Sequence, residues 1–147
     1  MMTSKLTLIM TVITIIAIAS GCNDSSYFTS DLKSTDLVGT WGLAKDEGGI
    51  PGQASSEIRF SSDGRFTARN TPIRVSPGEF TFVSDEGRWS IIEDTSDRMR
   101  YRWKLDLIFE GTRKGVKWDV LSGDDGITLM YRTSVDTLKG YQFVKSE

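Results

Sequence analysis

The sequence predicts an all-β domain: a small antiparallel meander barrel, or a strongly curled sheet, of about eight to nine strands. Three observations predict it. From Gly39 to the C-terminus, short runs alternate apolar and polar residues. Turns built from Gly, Asp and Pro separate these runs at short intervals. No run after Gly39 has the period of a helix of ten or more residues. The connections are local hairpins, so the sheet is antiparallel; a sandwich needs longer crossing loops.

The chain begins with a different pattern. Met1 to Gly21 has a short polar start with one charge, Lys5, then an apolar run from Leu6 to Ala19, then Ala19-Ser20-Gly21. That is the layout of a signal peptide, expected as an isolated helix over residues 6–20. A membrane span needs about 20 apolar residues, more than this run holds. Cys22 follows the small residues directly and is the sole cysteine. A lone exported cysteine has no internal disulfide partner, so it needs another role. Asn23 to Asp36 is rich in Ser, Thr and Asp, and reads as a tether over 22–36. The β domain then occupies 37–147.

Its elements follow in order. Leu37-Val38-Gly39-Thr40-Trp41-Gly42 opens the first strand, Gly39 to Lys45. Gly48, Gly49, Pro51 and Gly52 make 46–55 a loop. Glu57 to Phe60 and Arg65 to Asn70 flank Ser62-Asp63-Gly64, a hairpin turn in which Gly supplies the positive φ. Pro72 and Pro77 predict a loop over 71–78. Two strands come next, Glu79–Val83 and Arg88–Glu93, with a turn at Asp85-Glu86-Gly87. Tyr101, Trp103, Leu105, Leu107 and Phe109 then alternate with Arg100, Arg102, Lys104 and Asp106, one face buried and one wet. On that reading Lys104→Ala costs less than about 0.5 kcal/mol. Residues 110–115 turn this strand into Val116, Trp118 and Val120, so Trp103 and Trp118 share the inner side. Ile127–Thr133 and Tyr141–Lys145 close the domain around a loop at 134–140.

Charge and composition exclude several functions. Loss of 1–21 removes Lys5 and leaves 17 basic against 20 acidic residues. This balance does not suit nucleic acid. With no histidine in the chain, the His-based triads and His-ligated metals are excluded. No phosphate-binding glycine loop is present. Asp94/Asp97 and Asp124/Asp125 lack the spacing of a calcium loop. The reading is therefore of a non-enzyme without cofactor or metal. Arg98, Arg100, Arg102, Lys104, Arg113, Lys114 and Lys117 cluster within twenty residues, as a solvated strand face or a contact for an acidic partner.

Ala19-Ser20-Gly21-Cys22 resembles the bacterial lipobox. The resemblance implies a lipid anchor at Cys22 and a bacterial cell envelope location, periplasmic or at the cell surface. Gly39-Thr40-Trp41 looks like the lipocalin Gly-x-Trp signature, in which the Trp closes one end of the barrel. The hairpin from Ile58 to Ala68, Leu129-Met130-Tyr131-Arg132 and Gly140-Tyr141-Gln142-Phe143-Val144-Lys145 resemble small bacterial lipocalin-like lipoproteins. Where that family packs an Arg of the last strand on the Trp, this chain has Lys145 as the nearest cation. The resemblance implies an envelope lipoprotein that binds a small apolar ligand or lipid, or serves as an accessory binding module. Trp89, Tyr101, Trp103, Trp118 and Tyr131 would then line the interior. The alternative is an inhibitor or immunity-type lipoprotein that blocks a secreted enzyme or toxin through the loops at 46–55, 71–78 and 134–140.

Overall fold

The computed structural model describes residues 32–46, 55–94, 103–123, 125–133 and 140–146. Residues 1–31, with the expected signal peptide, its helix over 6–20 and Cys22, lie outside them, as does Tyr101. A helical turn, α1 (Ser34–Leu37), leads into eight strands. These are β1 (Gly39–Asp46), β2 (Glu57–Phe60), β3 (Arg65–Ser76), β4 (Glu79–Glu93), β5 (Trp103–Phe109), β6 (Lys114–Gly123), β7 (Gly126–Arg132) and β8 (Gly140–Lys145). Each pairs antiparallel with the next, and β1 pairs with β8, so the barrel is closed. The all-β antiparallel meander read from the sequence is therefore present, and closure leaves no edge along the main sheet.

Two expectations are corrected. The loop expected over 71–78 is strand up to Ser76, with the turn reduced to Pro77 and Gly78. The turn expected at 85–87 is strand too, which makes one long β4 of two short strands. Gly87 is there because nothing larger fits: a Cβ would lie 2.0 Å from the Ile108 carbonyl oxygen and 2.9 Å from the Phe66 ring. Gly87→Ala is expected to cost about 2–3 kcal/mol, the upper range for overpacking. At Gly115 the nearest atom to a new Cβ is 3.9 Å away, so Gly115→Ala should stay within about 0.5 kcal/mol of the parent. Urea midpoints for the two variants check the contrast.

Asp85 has a structural role within β4. Its Oδ1 accepts from the N–H of Glu86 at 2.8 Å and of Gly111 at 3.1 Å, and its Oδ2 from that of Thr112 at 3.0 Å. It thereby ties the β5–β6 turn to the barrel. Burial pushes its carboxyl up, but the N–H groups of Thr112, Glu86 and Gly111 together hold it below the ordinary value of 3.8.

The base of the barrel is built from the first and last strands. Leu37 and Trp41 are fully buried, and the Trp41 indole donates to the Leu37 carbonyl at 2.8 Å. Lys145 lies over the Trp41 ring with Nζ 5.8 Å from its centroid, and donates to the Asp36 carbonyl at 3.1 Å. Gly39 makes room for it: φ is +131° and a Cβ there would sit 2.8 Å from Lys145 Cε. Gly39, Trp41 and Lys145 thus form one unit. Packing also takes in Leu32 and α1, which composition assigned to the tether.

Bulky apolar side chains pack the interior. Ile58, Phe60, Phe66, Leu105, Leu107, Phe109, Trp118, Leu129, Tyr141 and Phe143 are all buried inside it. An eight-stranded barrel is just wide enough for this.

The wet face expected for β5 is corrected at its start. Lys104 points outward, as the alternation requires, since its neighbours Leu105 and Leu107 face in. Yet its side chain is only 10% exposed and is ion-paired with Asp119, which is 5% exposed. Arg132 joins from β7, with Nε 2.5 Å from Asp119 Oδ2. Leu121 and Met130 form a small buried apolar cluster, separate from the interior. Alternation tells which side of a sheet a residue is on, not whether that side is covered.

Candidate functional site

The residues expected to line a ligand chamber separate into two groups. Trp118 and Tyr131 are in the upper interior, near the β3–β4 turn. Their rings stack with centroids 5.8 Å apart, and Phe143 also stacks on Trp118, at 4.9 Å. Trp89 and Trp103 are at the base. Trp89 packs on Phe60 with centroids 5.2 Å apart. Trp103 is half-buried at the start of β5, not fully inside. Trp103 and Trp118 keep the shared inner parity that the alternation predicts, with Leu105 as the register partner of Trp118.

The base carries a cleft among the described residues. It has a volume of about 490 Å³ and lies between Leu32 and Ser34, the turn at 62–64, and the Trp89–Ile91 and Trp103 ends of β4 and β5. That size is within the usual range for small-molecule sites, about 300–1,000 Å³. Its floor is set by the turn. Gly64 has φ +80° and its N–H donates to the Ser61 carbonyl at 3.2 Å, while Asp63 accepts from the Arg65 N–H at 3.0 Å. Trp89 clamps this turn to β4. Its backbone N–H donates to the Gly64 carbonyl at 2.8 Å and its indole to the Ser61 carbonyl at 3.0 Å. The indole edge of Trp89 is therefore satisfied by protein.

Sequence reasoning missed this site because α1 forms one wall. Leu32 and Ser34 stand in a Ser- and Asp-rich stretch with no sustained period, and only their packing on the barrel places them beside Trp103. Trp89 and Trp103, on the apolar parity of their strands, were the available signal.

At the other end, the Tyr131 hydroxyl accepts from the Arg74 backbone N–H at 3.0 Å. Burial raises the phenol above its ordinary value of 10.0, against the opposing pull of that N–H and of the Arg74 charge. The described residues of the basic cluster differ in setting. Lys104 is taken up by Asp119, Arg113 and Lys117 are exposed, and Lys114 is half-buried on β6. Arg98, Arg100 and Arg102 lie outside the described residues.

Comparison with known protein families, with curated proteins and with solved structures returned no match.

Proposed function

We propose that this chain is a cell-envelope lipoprotein, anchored through Cys22, whose barrel holds an apolar chain of a lipid or similar amphiphile in the basal cleft. The observation that carries this reading is the position of the cleft. Trp103, Trp89, Ile91 and Leu32 line it, and Leu32 is also where the chain enters from Cys22. Nine residues separate Cys22 from Leu32, a reach of at most roughly 35 Å over ten peptide steps. A lipid anchor at Cys22 keeps the cleft near the membrane that supplies such ligands. Stable anchoring follows from about 0.8 kcal/mol per buried methylene.

Tryptophan fluorescence titrated with a long-chain fatty acid tests the site. The expected result is a saturable blue shift, with affinity lowered about tenfold in Trp103→Ala, the loss of one partly buried aromatic contact. No spectral change at saturating ligand would sink the ligand reading. Cys22→Ser should release the protein from membranes while leaving the titration intact, and unchanged membrane fractionation of that variant overturns the anchor.

The packed aromatic and aliphatic interior favours a second reading, an inhibitor or immunity-type lipoprotein that contacts a protein through one end of its barrel. Such packing gives a module rigidity. It predicts stoichiometric capture of an envelope protein together with a silent fatty-acid titration.

A further inference from the structure

The hairpin of β3 and β4 is much longer than the barrel needs. Among the described residues, 71–76 pair only with β4, because β2 reaches β3 only at 66–69. Residues 79–86 pair only with β3, because the β5 ladder begins at Gly87. Residues 70–84 therefore form a two-stranded flap with no lateral strand among the described residues. The register of β3 shifts between Ala68 and Thr71, and Asn70 between them has φ +52°. A bulge of this kind bends a strand and re-aims the residues beyond it. Here it turns the flap across the upper mouth to the opposite strands. Phe80 meets Tyr131 and Tyr141 with ring centroids 5.8 and 5.5 Å apart, and Phe82 meets Tyr141 at 6.0 Å. The Arg74 guanidinium donates to the carbonyls of Thr133 at 2.7 Å and Arg132 at 3.3 Å.

We propose that the flap at 70–84 is a hinged gate over a second binding site in the upper barrel, which takes an aromatic ligand carrying a hydrogen-bond acceptor in place of the Phe80 and Phe82 rings. Three features support it. The flap reaches the far rim through the Arg74 guanidinium bonds, the Arg74 N–H to Tyr131 and the two Phe rings, while Ile73 packs into the core beneath it. Its base has a hinge at Asn70, held by the Ser84 hydroxyl accepting from the Asn70 N–H at 3.0 Å and the Ser56 hydroxyl donating to the Asn70 carbonyl at 2.5 Å. Beneath it the indole N–H of the fully buried Trp118 has no acceptor among the described residues. Buried donors are nearly always paired, so this one favours a ligand that brings an acceptor. A hairpin held by one ladder opens locally at lower free energy than strands paired on both sides. This gate is at the end opposite the basal cleft and does not depend on it.

Tyr131→Phe tests the gate with little risk to folding, because the ring remains. It leaves the Arg74 N–H without an acceptor only while the flap is closed, so opening should rise about tenfold. Hydrogen exchange on the mature chain should show amides at 71–83 exchanging at least tenfold faster than those at 105–118, through local opening. In Tyr131→Phe the flap amides should quicken by a further tenfold or so, with 105–118 unchanged. Anilinonaphthalene sulfonate, an aromatic probe with sulfonate acceptors, should bind the variant tighter by the same factor, since apparent affinity scales with the open fraction. Trp103→Ala should leave that affinity unaltered. Flap amides that exchange only together with 105–118 overturn the gate. So does dye affinity indifferent to Tyr131→Phe, or abolished by Trp103→Ala.

Discussion

Asp119→Ala is expected to lower the unfolding free energy by about 3–5 kcal/mol, the usual cost of breaking a buried ion pair from one side. Asp119 accepts from Lys104 Nζ and from the Arg132 guanidinium, and all three side chains are at most one-fifth exposed. Removing the carboxylate leaves two cations close together in a site poor in water. Lys104→Ala should cost less, about 1–3 kcal/mol, because Arg132 still pairs with the remaining acid. Lys117→Ala, on the exposed outer face two residues before Asp119, should stay within about 0.5 kcal/mol. Chemical denaturation of the three variants measures the order. An Asp119→Ala midpoint no lower than that of Lys117→Ala would refute the ion cluster as a structural element.

The second large effect belongs to Trp118. It is fully buried and stacked against both Tyr131 and Phe143. Trp118→Ala should cost about 3–5 kcal/mol through lost contacts and the cavity left behind. A domain of this size has about 5–15 kcal/mol in total, so the variant is expected near its folding limit. Trp118→Phe separates the ring from its N–H. The indole N–H has no acceptor among the described residues, so replacing it sacrifices no hydrogen bond. The cost should fall to about 1–2 kcal/mol, that of a smaller ring. Equal losses in the two variants would mean that the N–H makes an interaction of its own.

The alternation from Trp103 to Phe109 and from Val116 to Val120 correctly assigned inner and outer residues, because side-chain direction in a strand depends only on parity. The Ser62-Asp63-Gly64 turn was equally legible, since its chemistry is local. Strand merging was not. Pro72 and Gly87 look like breakers, but Pro72 sits where β2 no longer pairs with β3, so its missing N–H leaves no gap in a ladder. Gly87 is needed where the Ile108 carbonyl passes close by.

By itself the sequence determined the all-β class, the antiparallel pairing of local hairpins and the absence of histidine chemistry, because these follow from period, turn residues and composition. Only the tertiary structure decided the rest. Closure of β1 on β8 brings Lys145 over Trp41 from more than a hundred residues away. The register of β5–β7 buries Lys104 against Asp119 and Arg132. The bulge at Asn70 sends a hairpin across the mouth to Tyr131. Each joins residues distant in the chain, and no local pattern encodes which of them a curved, closed sheet will bring together.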